Sequence, residues 1–200
     1  SYLALFKQKY VWLFFLGIVC YVSTVQGTSI FMRTFLEQYH GVNPQTDGAQ
    51  AVSYFWGLMT AGCLVGMLLL KLIDSKRLLQ ISGVLTIVLL LSALFGSKGI
   101  ALIAFPAVGF SISMMYSIVF SLALNSASQH HGSFAGILCS AIVGGAGGPM
   151  IVSTIADATS LRTGMLFILV FVGYITFIGF WARPLINNKT VKLKELFKKA

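Results

Sequence analysis

Residues 99–156 read GIALIAFPAVGFSISMMYSIVFSLALNSASQHHGSFAGILCSAIVGGAGGPMIVSTIA, 58 consecutive residues without Lys, Arg, Asp or Glu. A helix rises about 1.5 Å per residue and needs roughly 20 apolar residues to cross a hydrocarbon core about 30 Å thick, so the run holds two crossings. The polar stretch 125–133, with Gln129, His130, His131 and Gly132, marks the turn between them.

The same arithmetic applies on either side. Charge-free intervals cover 10–32, 48–70 and 78–97 before this run and 163–182 after it. The chain holds 14 Lys and Arg and 5 Asp and Glu in 200 residues, and 57% of it is hydrophobic. A soluble domain carries about a quarter charged residues. The few charges here gather at boundaries, which predicts an all-α integral membrane domain of six transmembrane helices. The spans are expected at 11–32, 49–70, 78–97, 99–124, 134–156 and 163–182, between a lead-in at 1–10 and a basic tail at 183–200.

Orientation follows from the basic residues, because cytoplasmic flanks are enriched in Lys and Arg. With the amino end inside, Lys7, Lys9, Lys71, Lys76, Arg77, Arg183 and the five Lys of the tail are cytoplasmic, 11 of the 14 basic residues. Only Arg33, Lys98 and Arg162 fall outside. Both ends are therefore expected in the cytoplasm, with a bacterial inner membrane as the expected location. The net charge of +9 reflects this topology rather than a nucleic-acid partner. The tail reads first as a solvated segment, although its Lys residues, interleaved with Val191, Leu193, Leu196 and Phe197, would also suit anionic headgroups.

Cys20, Cys63 and Cys139 lie inside spans, far apart in sequence, and form neither a metal-ligand spacing nor a disulfide framework. No metal or cofactor is expected. The first span is too long for a signal core and lacks a small-residue cleavage site. Catalysis is not expected either: His130 and His131 sit in a short loop, and no histidine lies in a span to activate a buried Ser or Cys. Nor does any acidic or basic residue lie in mid-span, which argues against an ion site or proton relay within this chain.

The spans are rich in small residues. Gly136, Ser140, Gly144 and Gly148 recur every four positions in the fifth span, a stripe that another helix can approach closely. Gly144, Gly145, Gly147, Gly148 and Pro149 also weaken the backbone ladder there, so a bend or gate and a static packing seam stand as equal readings. Gly62 and Gly66 repeat the spacing in the second span, where the seam is favoured, and Ser113, Ser117 and Ser121 form a row in the fourth. The first span is the most polar at depth, with Ser23, Thr24, Gln26, Thr28 and Ser29 before Arg33 ends it. A buried amide such as Gln26 must find partners or face a cavity. It offers donors and an acceptor to a polyhydroxylated ligand, or equally to an interhelical hydrogen bond.

Four stretches bear a likeness to a known family. They are Tyr21, Val22, Ser23, Thr24, Val25, Gln26 and Gly27; Tyr54, Phe55, Trp56 and Gly57 followed by Gly62 and Gly66; Ser113 to Tyr116 with Ile118 to Ala123; and Ala141 to Ala146 with Pro149, Ala156 and Asp157. Through them the chain resembles the carboxy-terminal half of a major facilitator superfamily transporter, most closely the fucose and glucose/galactose:proton symporter family. It departs from that family's pattern at Val25, where Glu is usual, at Cys63 in place of Arg, at Ile112 in place of Asn, and at Ser117 in place of Pro.

The resemblance implies two inverted three-helix repeats and a partner, the amino-terminal six-helix half, which together enclose a midplane site that opens to one side at a time. It further implies a sugar or sugar-like solute, proton symport, and a loop with Lys71, Asp74, Lys76 and Arg77 that braces the inward gate. The cavity is expected between the first, second, fourth and fifth spans, with Gln26, Thr24, Trp56, Ser113 and Tyr116 as ligand contacts and Gly144, Gly145 and Pro149 as the gating element. Trp56 also suits an interfacial anchor. Two other readings compete: a transport-incompetent relative acting as a solute sensor or membrane scaffold, which the loss of charge at Val25 and Cys63 permits, and an intramembrane enzyme.

Overall fold

A computed structural model describes residues 2–185, 190–192 and 195. A short helix α1 (Tyr2–Phe6) leads into α2 (Lys9–His40), α3 (Asp47–Leu72) and α4 (Ser75–Phe95), each a continuous span. The fourth span is broken into α5 (Lys98–Ile112) and α6 (Met115–Ser126), the fifth into α7 (His131–Gly144) and α8 (Gly147–Ala158), and the sixth into α9 (Leu161–Leu166) and α10 (Ile168–Trp181). Six helical stretches are thus long and apolar enough to cross a membrane. Most of the basic tail, including the segment expected to meet headgroups or solvent, lies outside the described residues.

Local chemistry fixes the ends. Ser97 and Ser160 cap α5 and α9 by accepting from the Ile100 and Thr163 amides. Gly41, at φ 64°, closes α2 in the left-handed conformation that a side chain disfavours. One boundary departs from expectation: Arg33 does not end the first span, which continues two turns to His40. Arg33 and Glu37 occupy the exposed face of this extension while Met32, Phe35 and Leu36 are fully buried, so it is an ordinary amphipathic helix end. At 32 residues α2 is about 48 Å long, well beyond the hydrocarbon thickness.

The packing is that of two interlocked three-span repeats. The first span of each repeat packs on the second and third spans of the other: α5 on α3 and α4, and α2 on α7, α8 and α10. The two third spans, α4 and α10, pack on each other. There Gly83 receives Thr176, and Gly179 receives Gln80, whose amide donates to the Gly179 carbonyl at 2.7 Å. Thr86 and Ser111 hydroxyls, 2.7 Å apart and buried, join α4 to α5, and the Tyr174 hydroxyl donates to the Leu13 carbonyl at 2.6 Å to join α10 to α2. These bonds pair polar groups inside the bundle, as lipid solvation requires, whereas the buried Thr28 hydroxyl and the His40 Nε2 have no partner among the described residues. By contrast Leu64, Met67, Ile103, Val143, Met150 and Phe180 are each more than 60% exposed, an outer surface that only lipid or a protein partner could cover.

At the far end of the bundle from α1, Arg162 has a role the sequence did not disclose. Its Nε donates to the Leu94 carbonyl at 2.8 Å, and its guanidinium lies 4.5 Å from the Tyr39 ring centroid, 5.4 Å from Phe95 and 5.8 Å from Phe35. The Tyr39 hydroxyl in turn accepts from the Arg162 backbone amide at 3.2 Å. The extension of α2, the end of α4 and the start of α9 are thus held by one side chain.

Candidate functional site

The two mid-membrane helix breaks arise for different reasons. In the fourth span the Ser113 hydroxyl donates to the Phe110 carbonyl at 2.6 Å, a local bond that competes with the helical ladder. The chain then restarts at Met115. In the fifth span Pro149 has no amide to offer the Gly145 carbonyl four residues back. That carbonyl instead accepts from the Gly148 amide at 3.1 Å and from the Ser23 hydroxyl of α2 at 3.4 Å. Tight turns of this kind leave α7 and α8 as separate helices.

Each break lies beside a glycine-lined crossing. A Cβ on Gly62 would strike the Ser113 hydroxyl, one on Gly66 would come within 2.8 Å of the Met114 Cβ, and one on Gly109 would strike the Phe55 carbonyl. Across the pseudo-repeat, a Cβ on Gly145 would collide with Val22 and one on Gly148 with Ser23, while Gly144 sits 3.0 Å from Val19 by the same measure. The expected gating element therefore contains both alternatives: a true break at Gly145 and Ala146, and a packed seam at Gly145 and Gly148. Gly147 alone among these glycines has nothing within 4 Å.

From these crossings a cluster of side chains forms at the meeting of four spans. Tyr21 of α2 and Tyr116 of α6 pack ring to ring at 5.5 Å, and Tyr116 meets Phe120 at 5.7 Å. The Tyr116 hydroxyl faces the Cys139 thiol of α7, and the Tyr21 hydroxyl is within interaction range of the Cys63 thiol of α3. Cys63 and Cys139 are both exposed, and the Cys63 thiol also contacts the Ser113 carbonyl at 3.5 Å. The result is an aromatic pair edged by two hydroxyls and two thiols, free of formal charge. Such a surface can stack against the C–H face of a sugar ring and exchange hydrogen bonds with its rim.

Of the expected contacts, only Tyr116 belongs to this cluster. Trp56, 42% exposed, stands seven residues before Cys63 on the same face of α3, with Thr60 between them, and so extends the stripe two turns. Thr24 must be corrected: it is fully buried, and its hydroxyl donates to the Cys20 carbonyl at 2.8 Å within its own helix. Ser113 must be corrected likewise, being 3% exposed and wedged against Gly62. In both cases a short hydroxyl found its own helix before it could reach a ligand. Gln26 is half-buried, and its amide makes no hydrogen bond among the described residues. It lies five residues, hence about 140° around α2, from Tyr21, so it projects from a different side of that helix. Tyr21 and Cys139 of this cluster were not among the expected contacts. The signal for Tyr21 was present, since it opens the Tyr-Val segment that carries the likeness in the first span.

Comparison with known proteins agrees with this architecture. No family model matches the chain. It is 34% identical over 166 residues to the glucose/galactose transporter of Brucella abortus biovar 1 (strain 9-941), a match covering 82% of this chain and 40% of that protein. It is 30% identical over 165 residues to the putative glucose/galactose transporter of Helicobacter pylori (strain ATCC 700392 / 26695), with the same coverage. The crystal structure of the E. coli fucose:proton symporter, FucP, superposes with a TM-score of 0.83 at 17% identity, over 90% of this chain and 44% of that one. The chain thus spans about two fifths of the length of the relatives it matches. Six spans in interlocked repeats thus share the fold of that symporter, and in sequence the chain is similar to about two fifths of a glucose/galactose transporter.

Proposed function

We propose that the chain is one six-helix half, the carboxy-terminal one, of a carrier for a hexose or hexose-like solute, and that the solute packs on the Tyr21–Tyr116 pair. The observation that carries this reading is the convergence of α2, α3, α6 and α7 on an uncharged aromatic surface with exposed polar edges. In this reading an amino-terminal half supplies the opposite wall and the acids for proton symport, and the solute is exposed to each side alternately. Both ends lie in the cytoplasm, as the basic flanks suggest. Trp56 forms the outer rim, and Gln26 supplies a further polar contact from its own side of α2.

The test is sugar binding and counterflow by the native protein in liposomes. Tyr116→Leu removes the platform and the hydroxyl, and should weaken binding about tenfold or more, whereas Gln26→Ala removes one or two hydrogen bonds and should weaken it about threefold to tenfold. Unchanged binding in Tyr116→Leu would take the solute away from this cluster. The second reading, a solute sensor, is favoured by the uncharged Val25 and Cys63, and would be shown by sugar binding without counterflow.

A further inference from the structure

At the end of the bundle that carries α1, the start of α2 and the ends of α6 and α10 part around a cleft of about 660 Å³. Lys9 and Arg183 stand on its walls with Ser126, and no carboxylate is among the lining residues. None of the described acids is on this wall: Glu37, Asp47 and Asp157 lie at the opposite end, Asp74 in the turn after α3, and Glu195, exposed, in the tail. Two cations therefore face one cavity without a counter-charge from the cavity's own wall.

Three further features shape the cleft for a particular anion. Half-buried Tyr10 and Trp181 collar it, with Trp181 packed on the buried Phe14 at a centroid distance of 5.2 Å. Aromatic rings of this kind sit at the headgroup level of a bilayer. Arg183 is held in place, because the following backbone is pinned where the Leu185 amide donates to the Asn125 carbonyl at 2.6 Å. Finally, Phe177 and Phe180, 58% and 63% exposed, continue the wall of α10 away from the cleft into the apolar band. The cleft thus joins cations, a hydroxyl and aromatic rings on its wall, and α10 adds exposed apolar rings beside it, which together match the parts of a phospholipid. We propose that this cleft binds the phosphate headgroup of an anionic phospholipid, with Lys9 and Arg183 on the phosphate and an acyl chain along Phe177 and Phe180. The site is separate from the tyrosine cluster and does not depend on what the protein carries.

Native mass spectrometry of the detergent-purified native protein, titrated with phosphatidylglycerol or phosphatidylcholine, tests the proposal. The unaltered protein should retain phosphatidylglycerol in preference to phosphatidylcholine. Lys9→Gln/Arg183→Gln should lose that lipid by on the order of thirtyfold, the equivalent of two surface cations. Lys9→Arg/Arg183→Lys should keep it, as should the control Lys76→Gln/Arg77→Gln, which removes the same charge from a different place on the same face. Equal losses in the two Gln pairs would show a diffuse charge effect and overturn the site. So would an absent preference for phosphatidylglycerol, or its displacement by excess inorganic phosphate, which would make free phosphate the ligand.

Discussion

Substituting the glycines around the fifth-span break separates packing from bending. An added methyl at Gly145 lands on the Cβ and Cγ1 of Val22, atoms held close to the α2 backbone, so neither partner can yield by rotating a flexible side-chain end. Overpacking of this kind costs about 1–3 kcal/mol. For a domain of this size, about 2 kcal/mol lowers the unfolding midpoint by roughly 4–8 °C. At Gly147 nothing lies within 4 Å and the backbone has an ordinary negative φ, so the same methyl fits. There the unfolded chain loses freedom and the helix gains propensity, for a net stabilisation of about 0.4–1 kcal/mol. Thermal unfolding of the native protein in detergent, followed by thiol-reactive fluorescence, should therefore show Gly145→Ala falling and Gly147→Ala rising slightly. If the break also bends during turnover, Gly147→Ala slows counterflow in spite of its greater stability. A Gly145→Ala protein as stable as the parent, or a Gly147→Ala protein less stable than it, would refute the packing argument.

Two other perturbations follow from the geometry. Arg162→Met should lower stability by about 1–2 kcal/mol, since it removes a charge-assisted hydrogen bond and a cation–π contact at a half-buried site, and Arg162→Lys should recover only part because it lacks the planar fork. Equal midpoints for the Lys variant and the parent would assign the effect to charge alone. Val25→Glu places a carboxylate at a position only 6% exposed and should destabilise by about 3–5 kcal/mol, whereas Val25→Glu with Cys63→Arg should recover about 1–3 kcal/mol of that as coupling. A double-mutant cycle read by thermal unfolding measures this, and a coupling near zero would show that positions 25 and 63 do not face each other.

The number and limits of the spans were legible because charge avoids hydrocarbon, and the spacing of 14 Lys and Arg and 5 Asp and Glu records where hydrocarbon stops. The same signal misjudged α2, since absence of charge measures membrane thickness and not helix length. Past Arg33 the helix continues on the burial of Phe35 and Leu36. The site was harder to read. Thr24 and Tyr116 look equally plausible as polar groups at depth, but whether a hydroxyl reaches a cavity depends on its rotation about the helix and on nearby acceptors. A threonine can satisfy itself on the carbonyl four residues back, as Thr24 does, while a tyrosine hydroxyl stands too far from its own backbone to do so. Gly145 was ambiguous for a similar reason: a glycine that permits a bend and a glycine that admits a neighbour look identical until the neighbour, Val22, is in place.

The position of α2 constrains how the half can move. It is the shared element of both repeats: its Ser23 hydroxyl completes the broken turn at Gly145, its Leu13 carbonyl receives Tyr174, and its Tyr21 packs on Tyr116. The crossings at Gly62, Gly145 and Gly148 leave no room for even a methyl group. Close-packed interfaces without voids rearrange in discrete steps and do not deform continuously. A force on Tyr21 is therefore passed to α7, α8 and α10 together, which favours motion of the six helices as one body over independent swinging of any single span. Gly147, the unpacked residue beside the break, is then where a local adjustment meets least resistance, while the exposed apolar surface of Leu64, Met67 and Val143 takes no part in these crossings.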